Sequence, residues 1–191
     1  MKTRSPLRYP GGKSRAVSEI ATKYIIPNIP KNNQICSPFF GGGSIEIYLA
    51  KFGYHVYGYD AFLPLVDFWQ VLLKNPNKFA NSVEKKLRVS KTKFASIQES
   101  FRDRYDEFSK IRSATIFYLL NRTSYSGTTL SGGMAIDHDK KNRWEKINPR
   151  FNKASVKRLR NFSVKNFTVN KLDFRKSILK HKGILVYADP P

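Results

Sequence analysis

The apolar positions change rhythm along the chain. Over residues 14–26, Ala16, Val17, Ile20, Tyr24 and Ile25 follow the 3.6-residue period of a helix, and Pro27 ends it. Gln34-Ile35-Cys36 is a short apolar run that reads as a buried strand. It leads directly into Ser37-Pro38-Phe39-Phe40-Gly41-Gly42-Gly43-Ser44. Residues 45–51 return to helical spacing, with Gly53 as a C-terminal glycine cap. Residues 54–59 alternate as a second strand that ends at Asp60. Strand, glycine loop, helix and strand make one βαβ unit, for which a right-handed crossover is expected.

The middle of the chain reads differently. Residues 62–73, 77–87, 91–109 and 114–121 all carry helical spacing, and residues 153–160 predict a basic helix. Residues 122–150 are rich in Ser, Thr, Gly, Asn and Lys with few periodic apolar positions, which predicts a long loop, functional or mobile. A strand is predicted at 163–169, a short helix at 174–181, and a buried strand at 184–188 that runs into Asp189-Pro190-Pro191. The expected fold is α/β: a parallel sheet formed by residues 1–61 and 163–191, bracketing a helical insertion at 62–162. No internal repeat and no low-complexity tract is visible.

Composition narrows the function. The 191 residues include 35 Lys and Arg against 14 Asp and Glu, a net charge of +21. With 40% hydrophobic residues the chain has material for a core, so it is not a basic tail. Cys36 is the only cysteine, which excludes a disulfide scaffold. No apolar run approaches the ~20 residues needed to cross a bilayer. The first residues lack a secretory core, and a reduced, cytoplasmic location is expected.

Such a surplus of charge favours a polyanion as partner, since each Lys or Arg near a phosphate releases condensed counterions. The alternative is a highly soluble basic protein. The charge is concentrated in Arg122, Lys140, Lys141, Arg143, Lys146, Arg150, Lys153, Lys157, Arg158, Arg160 and Lys165, opposed by Asp137, Asp139 and Glu145. Tyr125, Trp144, Phe151 and Phe162 are interleaved with them. That mixture suits phosphate contact with base stacking, and equally a solvated helix resting on aromatic residues.

Ligands of parallel sheets bind beyond the carboxyl ends of the strands. Three features fall at such ends: the glycine loop after Cys36, Asp60 and Asp189. Consecutive glycines let backbone approach a ligand closely, although their spacing matches neither the dinucleotide pattern nor the P-loop. Asp60 could accept hydrogen bonds from both ribose hydroxyls of a nucleoside. A tight turn with a helix-capping Asp would look the same. Leu7-Arg8-Tyr9-Pro10-Gly11-Gly12-Lys13 places a lysine at a helix N-terminus, a site for a carboxylate or simply a Pro-Gly turn. In Asp189-Pro190-Pro191 the carboxylate and the Pro190 carbonyl would present two acceptors to one amino group. Two acceptors favour attack by its lone pair and stabilise the positive charge that then develops. A strand stopped by prolines is the plainer alternative.

Taken in order, Tyr9-Pro10-Gly11-Gly12-Lys13, Ser37-Pro38-Phe39-Phe40-Gly41-Gly42-Gly43-Ser44, Asp60 and Asp189-Pro190-Pro191 resemble the Dam-like class of adenine-specific DNA methyltransferases. Asn121-Arg122-Thr123-Ser124-Tyr125-Ser126-Gly127, followed by Ser131-Gly132-Gly133, is similar to a further stretch of that class. The resemblance implies a Rossmann-like sheet that uses S-adenosylmethionine to methylate adenine N6 in double-stranded DNA, with the target base flipped out. It implies cofactor contacts by Tyr9, Gly11, Gly12, Lys13, Pro38, Phe39, Gly41, Gly42, Gly43, Asp60 and Asp189. It assigns catalysis to Asp189, Pro190 and Pro191, and target recognition to the basic insertion, with Arg122, Tyr125, Lys140, Lys141 and Arg143 as DNA contacts. Direct methyl transfer calls for no metal. Family members usually carry Trp-Ala where this chain has Tyr9-Pro10. Their Asp-Pro-Pro-Tyr motif reaches only Pro191 here. On that resemblance the sheet is incomplete at its C-terminal side, and a truncated gene product, a fragmentary record and a split enzyme completed by another chain are all expected forms. A catalytically inactive DNA-binding remnant, a methyltransferase for RNA or a protein amide, and a dehydrogenase-like nucleotide fold are the competing functions.

Overall fold

The computed structural model describes residues 4–87, 89–139, 144–147 and 150–190. The chain opens with α1 (Val17–Ile20), a π turn at Ala21–Ile25 and a 3-10 turn at Ile26–Asn28. The expected single helix over 14–26 therefore starts later and is not regular. Residues 14–16 are taken up in a turn closed by the Ala16 N–H on the Lys13 carbonyl (3.0 Å). Pro27, which lacks an N–H, forces the tighter final turn. Then follow β1 (Gln34–Ser37), α2 (Ser44–Lys51) and β2 (His55–Asp60), the expected βαβ unit. Four helices come next: α3 (Leu63–Lys74), α4 (Pro76–Glu84), α5 (Lys91–Arg104) and α6 (Lys110–Thr123). Their ends follow local chemistry. The Asn75 side chain accepts the Lys78 N–H at the start of α4, and Ser90 Oγ accepts the Lys93 N–H at the start of α5.

Residues 122–150 are not all loop. A 3-10 turn at Tyr125–Gly127 is followed by an antiparallel pair, β3 (Ile136–Asp139) and β4 (Trp144–Ile147). Its register sets Asp137 opposite Lys146 and Ile136 opposite Ile147, in a stretch where few apolar residues announce a strand in sequence. The chain ends with α7 (Lys153–Arg160), β5 (Phe167–Lys171), α8 (Phe174–Lys180) and β6 (Leu185–Val186). Helix α7 has the predicted bounds and carries a reciprocal Asn152–Ser155 capping box. Strand β6 is shorter than expected and only half-buried, because among the described strands it pairs with β1 alone.

The main sheet has the order β5-β2-β1-β6, and all its pairings are parallel. Residues Ile35, Cys36 and Val56 are fully buried at its centre. Helix α3 packs on β2 and β5 and also against α6. Two consecutive residues divide that work. Trp69 packs on Phe40 and Phe167 at the sheet, while Phe68 packs on Phe79, Phe117 and Tyr118 among the helices. One hydrophobic cluster thus runs from the sheet through the helical half. Among the described residues, no helix is long and apolar enough to cross a membrane.

Candidate active site

Parallel pairing of β1 with β2 and β6 delivers three chain segments to one edge of the sheet. After β1 the chain bends: the Phe40 N–H donates to the Tyr59 carbonyl (2.8 Å), and the Gly43 N–H to the Phe40 carbonyl (3.0 Å). Gly43 has φ +65°, a left-handed conformation that suits glycine, and α2 starts at the next residue. The Gly41 carbonyl accepts the Trp69 indole N–H (3.1 Å), so the bend is anchored to α3.

At the end of β2, Asp60 is tied to this bend. One carboxylate oxygen accepts the Gly41 N–H (3.1 Å) and the other the Phe62 N–H (2.9 Å). Burial raises its pKa, and those hydrogen bonds act against the rise. Tyr9 lies across the glycines. A Cβ added at Gly42 would stand 2.7 Å from the Tyr9 Cβ, so only glycine permits this approach. Burial, and then the charge of Asp60, push the Tyr9 hydroxyl up to about 12. Four residues on, Lys13 donates to the Gly11 carbonyl (3.0 Å) and to both oxygens of Asp189 (2.8 and 2.7 Å). Tyr9, Lys13, Gly41, Gly42, Asp60 and Asp189 therefore form one linked group, although they span almost the whole sequence.

The other expected residues divide. Gly11, Gly12 and Pro190 are exposed around this group, while Pro38 and Gly43 are buried beneath it. The Phe39 ring is stacked on Phe174 of α8, with centroids 5.2 Å apart. Tyr125 is 73% exposed, with its ring accessible for stacking. Arg122, expected as a DNA contact, lies at the inner end of its helix. It is 6% exposed and donates through Nε and Nη2 to the Arg150 carbonyl (3.0 and 2.9 Å). The apolar packing of α6 draws its last turn inward, and Arg122 with it. Lys140, Lys141, Arg143 and Pro191 lie outside the described residues.

Sequence reasoning passed over two groups. Glu46, on the inner face of α2, is fully buried and accepts the Ser37 Oγ proton (2.7 Å). Desolvation dominates and moves its carboxyl up to about 7, with Asp189 adding to the rise. It is the only acidic residue between Ser37 and Asp60, set in the apolar run Ile45-Glu46-Ile47, which is the signal that marks it. Asn121, the first residue of the stretch that resembles the family but without a role assigned there, is the second. Its side chain accepts the Arg8 N–H (2.9 Å) and donates to the carbonyls of Arg8 (2.6 Å) and Gly127 (3.2 Å). It fixes the N-terminal segment against the end of α6, one residue before Tyr9.

A glycine bend after β1, with carboxylates at the end of β2 and beyond β6 on either side of it, stands at the strand ends of a parallel α/β sheet, the place where proteins of this class bind their ligands. A family model narrows the class: the chain belongs to the D12 class N6 adenine-specific DNA methyltransferase family, matched over residues 9–191. The family is one of enzymes that methylate adenine in DNA. A comparison with curated proteins found no match.

Proposed function

We propose that the strand-end group binds S-adenosylmethionine and directs its methyl group to adenine N6 in duplex DNA. The reading is carried by the convergence of Lys13, Tyr9, the glycine bend, Asp60 and Asp189 in a chain of this family. The residues present fit such a donor. Asp60 uses one lone pair on each oxygen for backbone N–H groups, so both oxygens retain capacity for ribose hydroxyls. Lys13 and Asp189 offer opposite charges 2.7 Å apart, which suits the carboxylate and ammonium of an amino-acid moiety. Both side chains are 37% exposed, so their ion pair is worth only ~0–1 kcal/mol and is easily exchanged.

The donor supplies an electrophilic methyl group when bound. Asp60 holds a ribose, and Tyr9 and the glycine bend shape the floor beside it. Asp189 and the Pro190 carbonyl accept the two N–H hydrogens of the target amine, which turns its lone pair toward the methyl carbon. As the amine nitrogen bonded the methyl carbon, the donor's carbon–sulfur bond would break with its electron pair left on sulfur as a thioether; Asp189 would stabilise the positive charge arising on nitrogen, and its carboxylate would take the departing proton. Residues 62–162 provide the DNA-facing region, with Tyr125 available to stack on a base.

Incubation with radiolabelled S-adenosylmethionine and unmethylated duplex tests the reading. Label in adenine, lost in Asp189→Ala, is the expected result. Full transfer by that variant overturns the role of Asp189. A second reading, DNA binding without transfer, is favoured by one observation: Lys13 engages both oxygens that the amine would need. Binding that weakens steeply with salt, with no label transferred, selects it.

A further inference from the structure

A second concave site lies beside the strand-end group. Arg8, Arg122, Arg150 and Arg158, with Asn152 and Ala154, line a cleft of about 430 Å³. These four arginines come from the N-terminal segment, the last turn of α6, the approach to α7 and α7 itself. No carboxylate is among the lining residues. The floor is the buried guanidinium of Arg122. Its Nε and Nη2 are held by the Arg150 carbonyl, while Nη1 has no acceptor among the described residues. Arg8 reaches the Ser124 carbonyl through Nη1 (3.3 Å) and is fixed at its backbone by Asn121. Burial, and for each the neighbouring arginines, lower both Arg8 and Arg122 from the ordinary arginine range.

Like charges brought together in a partly desolvated cleft oppose folding unless something neutralises them. Planar guanidinium groups converging from several sides match the oxygens of a phosphate, each able to donate in pairs. The first turn of α7, capped by Asn152, adds its positive end to the same cleft.

We propose that this four-arginine cleft seats a backbone phosphate of the DNA substrate. Arg122 and Arg8 form the fixed base, and Arg150 and Arg158 close on the phosphate from the exposed side. The inference rests on DNA as the substrate but not on methyl transfer. Because Arg8 directly precedes Tyr9, a phosphate held here ties the position of the duplex to the strand-end group. Such a contact positions DNA without reading its sequence.

The test uses the full chain with a short mixed-sequence duplex and no methyl donor. Arg150→Gln/Arg158→Gln is the informative variant, since both side chains are exposed and the Arg150 carbonyl that holds Arg122 is retained. Lys31→Gln, in the turn before β1 at the opposite edge of the sheet, is the control. The double variant should bind DNA several-fold more weakly, to the same degree on unrelated sequences. Its plot of log affinity against log salt should be shallower by about 0.9, the increment of one phosphate that is no longer neutralised. Lys31→Gln should match the unchanged protein. Inorganic phosphate, titrated while arginine side-chain NMR signals are followed, should shift Arg122 in the unchanged protein and far less in the double variant. An unchanged salt slope in a folded double variant overturns the proposal. So does loss of inorganic phosphate binding with the DNA slope intact, which would make the cleft a small-anion site. A shallower slope in a chain that transfers no methyl group would support this inference while refuting the catalytic one.

Discussion

At the strand ends Lys13 faces Asp189, and Asp60 takes two backbone N–H groups. In the cleft at the junction of α6 and α7, four arginines share one concavity, and no carboxylate lines it among the described residues. The first region holds its polar groups in mutual contact, so a ligand must exchange one set of partners for another. The second gathers positive charge with no counter-charge among the described residues, so an anionic ligand adds a partner. The two differences suit the two tasks proposed above: discrimination of a zwitterionic donor, and the grip of a polyanion. They also predict different failures on mutation, catalytic or local in one region and uniform and salt-dependent in the other.

The comparison breaks most sharply at Asp189. Asp189→Ala should reduce methyl transfer by at least ~10²–10³-fold, the usual effect of deleting one group that stabilises developing charge. DNA affinity and its salt slope should stay the same, as read by transfer assays and binding titrations in parallel. Weaker DNA binding by that variant would merge the two regions.

Beneath the strand ends, Glu46 gives the next effect. Burial moves its carboxyl from 4.5 to about 7, so the folded chain keeps a proton that the unfolded chain has already released. Stability from this group is complete below about pH 4.5 and is lost as pH rises through about 7, up to ~3 kcal/mol at ~1.4 kcal/mol per unit. Thermal melts should show a lower Tm at about pH 8 than at about pH 5, and Glu46→Gln should flatten that difference. An equal pH dependence in the variant would place the titrating group elsewhere.

Smaller effects sharpen the boundary. Gly42→Ala drives a methyl group against Tyr9 and should destabilise by about 1–3 kcal/mol while raising the KM for the donor. Asn152→Ala removes the α7 cap and should cost about 1 kcal/mol in a denaturant titration. Lys13→Ala should change stability by less than ~1 kcal/mol, because the pair it forms is half in solvent.

Several of these groups are legible in the sequence and others are not, for physical reasons. A period of two or 3.6 is local, so β1, β2 and α7 can be placed from a few neighbouring residues. The ends of parallel strands must share one edge, and this alone brings Asp60, Asp189 and the glycine bend together. Pairing of β3 with β4 is a matter of backbone register in a stretch with few periodic apolar positions, so it leaves little trace in sequence. The burial of Arg122 depends on how α6 packs, and basic residues in a row say nothing of that. Arg8, Arg150 and Arg158 are brought to one cleft by the Asn121–Arg8 and Arg122–Arg150 hydrogen bonds, contacts between residues far apart in sequence. Glu46 could have been noticed as a lone charge among isoleucines.

Phe68 and Trp69 carry a last consequence. Adjacent on one helix, with their rings in edge contact 5.0 Å apart, they serve different layers, Trp69 the sheet and Phe68 the helices. Neither layer can then melt without stripping α3 from its other neighbour, which couples them into a single cooperative unit. Amide hydrogens in β1 and in α6 should accordingly exchange with similar protection under native conditions, rather than in two separate steps.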